Sequence, residues 1–368
     1  MLVDISTPRP KMVLFYINGK HHFPLISPIV KANTDIDFYI HSRSVKEDDY
    51  RRSELFRQEN SHFVAALSRL QYKLNLFGAY ISTDMHAAGA HAYSLRIAKA
   101  FNRLGVPVFE LQHGMFQIGL HYYDKPCREL FWDDSLPTRT FASHVFAYYP
   151  VADSIAPHTV IGYPPFNAPL TTNRTGEYVL VLSNMHWNTY THDERYNFYK
   201  AVFDYARNHP HEHFVWKVHH GETQTPECKA LIAGMFDIFP SLRKQIVFTH
   251  EQEVMPLLPL SEMIANSKCV ISTPSTVLLD CEMYARHVAV YSCATNRALT
   301  SKIKSATFFG NSEELEHCMS NGPVPLKSGL LFPYDNKAFR RILDERYHVT
   351  DKDQAEWLDI ILDEQPHK

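Results

Sequence analysis

The chain has 368 residues, 45% of them hydrophobic, and a formal net charge of −3 at pH 7. This length exceeds what one hydrophobic core comfortably organises, so two domains are expected. The near-neutral charge lacks the basic stripe typical of nucleic-acid-binding proteins, so no nucleic acid partner is expected.

The six cysteines are scattered along the chain and form no Cys-x-x-Cys pair. This disfavours a disulfide framework or a structural zinc site and fits a reducing cytosol. The N-terminal residues lack the basic start and apolar core of a signal peptide. No apolar run approaches the about 18 to 20 residues that span a bilayer. We therefore expect a cytoplasmic protein; peripheral contact with the inner face of the membrane stays open, as does the oligomeric state.

In the first half of the chain, short apolar runs alternate with helical patterns. Strands are predicted at Met12–Ile17, Ile36–Ile40, Ala79–Ser82, Val106–Leu111, Val145–Tyr149 and Val160–Gly162. Helical spacing of apolar residues predicts a long helix within 46–77 and a second helix over 89–104, which Gly105 ends. The segment 163–176 is rich in Pro, Thr and Asn and is the best linker candidate.

The alternation restarts after this linker. Further strands are predicted at 178–183, 213–218, 245–249, 268–272, 287–292 and 304–309, and helices at 194–207, 225–237, 254–266, 276–285, 335–345 and 352–363. Strands that alternate with helices form parallel sheets covered on both faces. We predict an α/β protein of two doubly wound, Rossmann-like domains facing a cleft, with ligands beyond the carboxyl ends of the strands.

The strand predicted at 268–272 runs into a cluster of hydroxyl side chains. Ser272, Thr273, Ser275 and Thr276 surround one proline, and Asp280 follows one helical turn later. Free backbone N–H groups at such a turn favour an anion, and hydroxyls add donors without charge. The cluster predicts a phosphate site, and helix capping by the same hydroxyls is the alternative.

Two further strand ends in the second half carry polar groups. Lys217 and His219 fall on one face of a predicted strand, where a protonated His219 would neutralise a departing phosphate. The alternative is that histidine is simply frequent, with 22 in the chain. Asn184 and His186 follow another strand and are candidates to touch the same ligand, whereas Asp193 begins a helix, where acids are expected for dipole reasons alone.

The first half supplies a second group of candidates. Gln112, His113 and Gly114 close a strand, and His113 suits the role of general base because its unperturbed pKa lies near neutrality. Asp84 ends the preceding strand and is a second candidate base, or a helix cap. No GxGxxG follows the first strand, and no P-loop, GxSxG or HExxH motif is present. Metal-independent chemistry without a bound cofactor is therefore expected.

Three motifs together resemble those of the two-domain GT-B transferases of bacterial surface polysaccharides. They are Gln112-His113-Gly114, Lys217-Val218-His219-His220, and Pro274 to Asp280 followed by Ala285 to Tyr291, in this order. The pattern is similar to that of the CDP-glycerol glycerophosphotransferases and of the sialyl- and Kdo-transferases that use CMP-sugars. His220 and His287 stand where those families have proline. The resemblance implies that His219, Ser275 and Thr276 hold the donor phosphate and that His113 lies on the acceptor side.

The sequence thus predicts a metal-independent GT-B glycosyltransferase of capsule or lipopolysaccharide synthesis. It would move a sugar, best matched by a Kdo-like unit from a CMP-activated donor, to a glycan or glycolipid acceptor. Residues 1–165 would bind the acceptor, 175–335 the nucleotide donor, and 336–368 would form closing helices. An inverting reaction would use His113 or Asp84 as base, and a retaining one Asp84 or Asp193 as nucleophile.

Three alternatives stay open at this point. A CDP-glycerol phosphotransferase would share the site and transfer phosphoglycerol. A sugar-nucleotide epimerase would turn over its substrate with no acceptor. A catalytically silent subunit of a polysaccharide assembly complex would share only the fold, which by itself does not fix function.

Overall fold

The computed structural model of the chain describes residues 10–70, 73–83, 85, 92–115, 142–151, 157–166, 176–186, 190–219, 221–252, 258–320 and 324–352. These residues form two units. The first takes the described residues of 10–115, 142–166 and 332–352, and the second those of 176–331. Each unit is built on its own parallel sheet.

The described part of the first unit contains a seven-stranded sheet in the order β3-β2-β1-β4-β5-β6-β7. All its strand pairs are parallel. The strands are β1 Lys11–Tyr16, β2 Ile36–His41, β3 Ser61–Val64, β4 Phe77–Ser82, β5 Val108–Leu111, β6 His144–Ala147 and β7 His158–Val160. Helices of this part are α1 Phe23–Ala32, α2 Glu47–Arg51 and α3 Ala92–Arg103.

The helix α3 shows why this unit folds as its sequence predicts. Its apolar residues recur at helical spacing, and Ile97, Ala98 and Phe101 are buried in the core. Phe101 packs on Tyr80 of β4 with ring centroids 5.1 Å apart. Gly105 follows the helix at φ +73°, a left-handed conformation in which glycine avoids the penalty of a side chain.

The long helix predicted within 46–77 is wrong. The segment contains α2, short 3₁₀ turns and the strand β3, which extends the sheet beside β2. Contacts with another part of the chain hold this segment in place, because the Asn60 side-chain amide donates to three backbone carbonyls between the end of α1 and the start of β2. Tertiary hydrogen bonds and strand pairing therefore prevail over a local apolar periodicity.

The described part of the second unit contains a six-stranded sheet in the order β10-β9-β8-β11-β12-β13, again with parallel pairs throughout. The strands are β8 Tyr178–Ser183, β9 Phe214–Val218, β10 Ile246–Phe248, β11 Ser267–Ser272, β12 Val288–Tyr291 and β13 Thr307–Phe309. The helices are α4 His192–Asn208, α5 Pro226–Ile238, α6 Leu260–Ala265, α7 Val277–Met283, α8 Arg297–Thr300 and α9 Ser312–Ser320. The predicted α/β class with two doubly wound units is confirmed.

Both sheets have a point at which the direction of winding reverses. In the second unit the chain passes from β8 to β9 on one side and returns to β11 on the other. In the first unit β1 lies between β2 and β4 in the same way. Ligands of doubly wound folds bind beyond the carboxyl ends of the strands at such switch points.

The C-terminal segment returns to the first unit. Phe332 accepts a backbone hydrogen bond from Tyr163 (2.9 Å), and Asp335 donates one to Ile161 (2.7 Å). Asp335 then caps α10, Asn336–Arg346, by accepting from the backbone of the first turn. The predicted helix 335–345 is thereby confirmed, whereas residues 353–363 lie outside the described residues. Among the helices described, none has the length and apolar character needed to cross a membrane.

Candidate functional site

Three segments of the second unit meet at the carboxyl edge of its sheet. The Thr273 amide donates to the Leu182 carbonyl (3.1 Å), and the His219 amide donates to the Ser183 carbonyl (3.0 Å). Residues after β8 therefore lie between those after β9 and those after β11. Because neighbouring strands are about 4.8 Å apart, the backbones at 219 and 273 are separated by about 10 Å. The structure brings most of the predicted donor-site residues to one edge.

The hydroxyl cluster after β11 divides into two kinds of group. Ser272 is fully buried and its Oγ donates to the Thr273 carbonyl (2.8 Å), so its hydroxyl stabilises the turn. The predicted contact of Ser272 with the phosphate stays a prediction. Ser275 and Thr276 are half-buried at the start of α7. Thr276 makes no side-chain capping bond, so capping does not account for the cluster.

Two buried side-chain atoms at this edge lack a hydrogen-bond partner among the described residues. They are Thr273 Oγ1, on a side chain only 1% exposed, and Asn184 Oδ1 on the adjacent segment after β8. A buried polar group left unsatisfied costs about 1–3 kcal/mol, and in native structures such groups call for an explanation. A bound polar ligand supplies one at both positions.

The imidazoles of His186 and His219 form a stacked pair. Their ring centroids lie 4.4 Å apart with an angle of 2° between the planes. Two positive charges at that distance would repel by about 1 kcal/mol in water and about 4 kcal/mol at an effective dielectric constant of about 20. The stack therefore disfavours double protonation. Gly221 lies against it, since a Cβ there would stand 2.3 Å from His186 Cδ2.

Lys217 supplies a cation near the carboxyl end of β9. It is half-buried, and burial lowers the pKa of its ammonium group. In the part of the chain that the structure describes, its ammonium pairs with no carboxylate. Lys268, on β11, pairs with Glu212 (2.7 Å).

A buried carboxyl that the sequence analysis missed lies directly beneath this edge. Glu222 is 1% exposed and accepts hydrogen bonds from Ser183 Oγ (3.0 Å), Tyr199 Oη (2.8 Å) and the His219 amide (3.2 Å). Burial raises the pKa of its carboxyl. The chain offers no pattern that marks this one glutamate among its 40 acidic residues.

The start of α4 is held by a capping box. The Thr191 hydroxyl accepts from the Glu194 amide, and Glu194 Oε2 accepts from the Thr191 amide. Glu194 also accepts from the amide and hydroxyl of Thr295 beyond β12 (3.0 and 2.8 Å). Burial would raise the pKa of the Glu194 carboxyl, but these hydrogen bonds outweigh it and lower the pKa. The Thr-x-x-Glu spacing was a readable signal for this contact.

Asp193 and Arg195 flank Glu194 with different surroundings. Asp193 is exposed in the first turn of α4, which fits the dipole alternative and gives no support to a nucleophile. Arg195 is 4% exposed; its Nε donates to the Met185 carbonyl (2.9 Å) and its Nη1 pairs with Glu227 (2.7 Å). Arg195 therefore fixes the loop that carries Asn184 and His186.

The first unit carries a separate cluster beyond β1, β4 and β5. Gln112 is fully buried; its amide donates to the carbonyls of Gly114 (2.8 Å) and Met115 (3.1 Å) and accepts from the Tyr148 amide (2.7 Å). Gln112 thus shapes the turn, and its place on the acceptor side stays a prediction. Gly114 belongs to the same turn.

His113 lies in this cluster beside a residue that the sequence analysis missed. Its ring meets that of His22 edge-on, with centroids 5.3 Å apart. His22 is 3% exposed and its Nδ1 lies 3.1 Å from Thr83 Oγ1. Asp84, the other predicted base, lies outside the described residues. No group of three or more His, Cys, Asp or Glu side chains within the described ranges is placed to hold a metal ion.

A surface groove of about 880 Å³ lies elsewhere in the second unit, between the ends of α4 and α9. Its lining includes Asp204, which accepts from Ser312 Oγ (2.6 Å) and also pairs with Lys200. The groove lies away from the ends of β8, β9 and β11, and Asp204 already has partners, so the groove is a poor candidate for the site.

No protein-family model matches the chain, and no curated protein matches it. Solved structures do. The UDP-GlcNAc 2-epimerase of Methanocaldococcus jannaschii, solved with UDP-GlcNAc and UDP, has a TM-score of 0.57 at 14% identity over 91% of this chain and 99% of its own. MnaA of S. aureus, solved with UDP, has a TM-score of 0.58 at 12% identity over 91% of this chain and 97% of its own.

A third structure is Anabaena Alr3699/HepE with UDP and glucose. It has a TM-score of 0.50 at 11% identity over 95% of this chain and 97% of its own. Identities this low show the fold alone. The chain therefore has the GT-B class of fold, two Rossmann-like domains, as the sequence predicted.

Proposed function

We propose that this protein is an enzyme that acts on a nucleotide sugar and holds its diphosphate at the carboxyl edge of β8, β9 and β11. One observation carries the proposal: Asn184 Oδ1 and Thr273 Oγ1 are buried at the switch point with no partner among the described residues. Native proteins rarely leave such groups unsatisfied. A nucleotide sugar would satisfy both, because a phosphate oxygen accepts from the Thr273 hydroxyl and a hydroxyl or N–H of the sugar or nucleoside donates to Asn184 Oδ1.

Each group at this edge has a defined task in the proposal. Thr273 donates its hydroxyl to a phosphate oxygen, and Ser275 and Thr276 add donors at the start of α7. Lys217 contributes a positive charge whose partial burial strengthens its attraction to an anion. His219 contributes a ring N–H, and Asn184 contacts the nucleoside or sugar. Asp280, one turn into α7, remains a candidate for a sugar hydroxyl.

The nucleotide that we favour is a uridine diphosphate. Three structures with this fold were solved with UDP or a UDP-sugar. The CMP-linked, Kdo-like donor implied by the motif resemblance finds no support among them. The shared fold does not decide the base, so the choice rests on measurement.

The reaction that we favour is epimerisation of the sugar, because structures described as UDP-GlcNAc 2-epimerases match nearly their whole length to this chain. When the intermediate stays fixed on the enzyme, inverting a carbon centre by proton transfer calls for one group that removes a proton from one face and another that returns a proton to the opposite face. His113, with His22 beside it, is the candidate for one of these groups in the first unit, and Asp84 is the candidate for the other. Transfer to a glycan or glycolipid acceptor is the second candidate, favoured by the three transferase-like motifs.

Nucleotide binding is tested by thermal unfolding with UDP, CMP, CDP, GDP and ADP. A ligand at about 100 times its dissociation constant stabilises the fold by about 2.7 kcal/mol. We expect UDP to raise the melting temperature most. Thr273→Val should weaken UDP binding about 10- to 100-fold, because it removes a hydrogen bond to a charged group, while leaving the free energy of unfolding unchanged or higher.

The matched control is Thr307→Val. Thr307 Oγ1 donates to the Val288 carbonyl (2.9 Å), so the substitution should lower stability by about 1 kcal/mol without changing UDP affinity. If Thr273→Val binds UDP as the native protein does, the proposed phosphate site is refuted.

The reaction is tested by incubating a UDP-sugar in D₂O without an acceptor and following the products by NMR. An epimerase produces a second sugar stereoisomer that carries deuterium at the inverted carbon. A transferase leaves the sugar configuration unchanged until an acceptor is added. Tight UDP binding with no turnover in either condition would indicate a binding subunit.

A further inference from the structure

We propose that Glu222 is a positioning residue of the nucleotide site and that it holds His219 as a neutral imidazole, with Nε2–H as the donor to the substrate phosphate. The second half of this inference rests on the proposed function; the assignment of the ring tautomer does not. It replaces the expectation that His219 binds as a cation.

The tautomer follows from one hydrogen bond. The backbone N–H of Gly221 donates to His219 Nδ1 at 3.1 Å. An amide is always a donor, so Nδ1 must offer its lone pair and carry no proton. A neutral ring with an unprotonated Nδ1 carries its proton on Nε2. Protonating Nδ1 would set two donors against each other and break this contact.

Glu222 holds the turn in which this contact forms. Its amide donates to the His219 carbonyl (2.9 Å), and its Oε1 accepts from the His219 amide (3.2 Å). The backbone amide and the side chain of Glu222 thus hold His219 from both of its peptide groups. His219 then has little freedom to leave the Gly221 amide.

The other carboxylate oxygen ties the turn to the body of the unit. Glu222 Oε2 accepts from Ser183 Oγ (3.0 Å) at the end of β8 and from Tyr199 Oη (2.8 Å) on α4. Ser183 Oγ in turn accepts from Trp216 Nε1 (2.9 Å). Hydrogen bonds within such buried networks reinforce one another, so the turn is fixed relative to the strand ends.

The stacked ring of His186 allows the pair at most one positive charge, which is compatible with a neutral His219. It lies parallel to His219 at 4.4 Å, where a second positive charge would be repelled. Gly221 has no side chain to push the rings apart, and a Cβ there would overlap His186. The turn, the stack and the glycine together favour one neutral orientation of His219.

The tautomer is tested directly on the full chain without ligand, by long-range ¹H–¹⁵N correlation spectra of ¹⁵N-histidine-labelled protein. The His219 signals are those that disappear in His219→Gln. We expect a ring with unprotonated Nδ1 and protonated Nε2. A proton on Nδ1 would overturn the inference, whether or not the protein binds a nucleotide.

The donor role is tested with UDP on three variants. The glutamine amide of His219→Gln reaches the position of Nε2, the asparagine amide of His219→Asn reaches that of Nδ1, and His219→Lys restores a charge. We expect His219→Gln to stay within about 10-fold of native affinity and His219→Asn to lose about 10- to 100-fold. Equal loss in Gln and Asn, or native affinity in Lys, would overturn the donor role.

The role of Glu222 is tested with Glu222→Gln. Because Glu222 accepts hydrogen bonds on both oxygens, a glutamine that keeps its carbonyl oxygen on the His219 amide must turn its N–H groups toward the Ser183 and Tyr199 hydroxyls and reverse those hydrogen bonds. We expect weaker UDP binding, by about 10-fold, together with changed ¹⁵N shifts of His219. Glu313→Gln, on an exposed residue of α9, should change neither. Unchanged His219 shifts in Glu222→Gln would refute the positioning role. If the native protein binds no nucleotide, the proposed function fails, and the histidine spectra still decide the tautomer.

Discussion

At the scale of single residues, the strand ends of the second unit offer a ligand mainly hydrogen-bonding groups and few charged ones. Thr273 and Asn184 are neutral residues with buried polar atoms, and the half-buried Lys217 lies two residues before His219. The Thr273 hydroxyl and the Asn184 amide keep their affinity for a polar ligand over a wide pH range because neither group titrates near neutrality. A buried histidine of the first unit, in contrast, does titrate and should make the stability of that unit depend on pH.

His41 should make the stability of the first unit depend on pH. Its ring is 1% exposed, and burial lowers its pKa to about 4, with the Val64 carbonyl opposing the shift. The unfolded chain, with a pKa near 6.5, binds the proton first. Stability is therefore full above about pH 6.5 and falls as pH drops toward 4, by up to about 3 kcal/mol.

Urea unfolding of the native protein and of His41→Asn between pH 7 and pH 4 measures this effect. The asparagine amide can still donate to the Val64 carbonyl, which lies 2.7 Å from His41 Nδ1, but it does not titrate. We expect the variant to lose much of the pH dependence of the free energy of unfolding. Parallel profiles for the two proteins would contradict the assignment.

At the scale of elements, the turns that follow the strands carry the candidate functional residues, and the strands themselves do not. The strands of the second unit are short and apolar, and the polar side chains stand in the turns just beyond them. The helix α7 after the hydroxyl cluster has only seven residues, so side-chain donors matter more there than a helix dipole. Replacing a glycine that has a left-handed backbone conformation tests how firmly the turn beside an element is held.

Gly105 and Gly162 form a matched pair for such a test. Both lie in the first unit with φ of +73° and +75°. A Cβ at Gly105 would meet nothing within 4 Å, whereas one at Gly162 would stand 1.9 Å from the Pro333 carbonyl oxygen. Gly105→Ala should cost about 1–2 kcal/mol, from backbone conformation alone. Gly162→Ala should cost about 2–5 kcal/mol, because overpacking adds to it.

Chemical denaturation of both glycine variants measures these losses. Equal destabilisation of the two variants would mean that the segment from Phe332 yields to the added methyl group. A larger loss in Gly162→Ala is expected, since the segment is held there by backbone hydrogen bonds to Tyr163 and Ile161.

At the scale of the whole molecule, the chain builds two units and ends in the first. Helix α10 contributes Phe339, Ile342 and Leu343 to the buried residues of that unit. Phe339 packs against Phe146 with ring centroids 4.8 Å apart. The C-terminal segment is thus part of a core and not a surface addition.

Calorimetry of Phe339→Ala and Leu315→Ala tests this division. Both side chains are fully buried, the first in α10 and the second in α9 of the second unit. Each substitution should cost about 2–5 kcal/mol. We expect the two units to unfold in separate transitions. Leu315→Ala should lower the midpoint temperature of the transition that UDP raises, and Phe339→Ala should lower that of the second transition. The reverse pattern would contradict the division.

The sequence by itself determined the alternation of strands and helices, and with it the fold class. Apolar runs of parallel strands are nearly continuous because both faces are buried, so β1, β8, β9 and β11 were each predicted within a residue or two. Polar residues that follow the strands therefore lie close together, because the carboxyl ends of parallel strands share one edge of the sheet. The edge that joins Thr273 to Asn184 and His219 follows from this pattern.

Tertiary structure alone decided which polar groups are free to act. Ser272 and Gln112 have the residue types of a binding site, yet their side chains stabilise turns. Glu222 and His22 carry no sequence signal, because their importance comes from neighbours distant in the chain. The helix predicted within 46–77 was wrong for the same reason, because the hydrogen-bond partners of Asn60 lie in the α1–β2 connection, distant in the chain. Local pattern reports burial and periodicity, whereas hydrogen-bond partners are set by which segments the fold brings together.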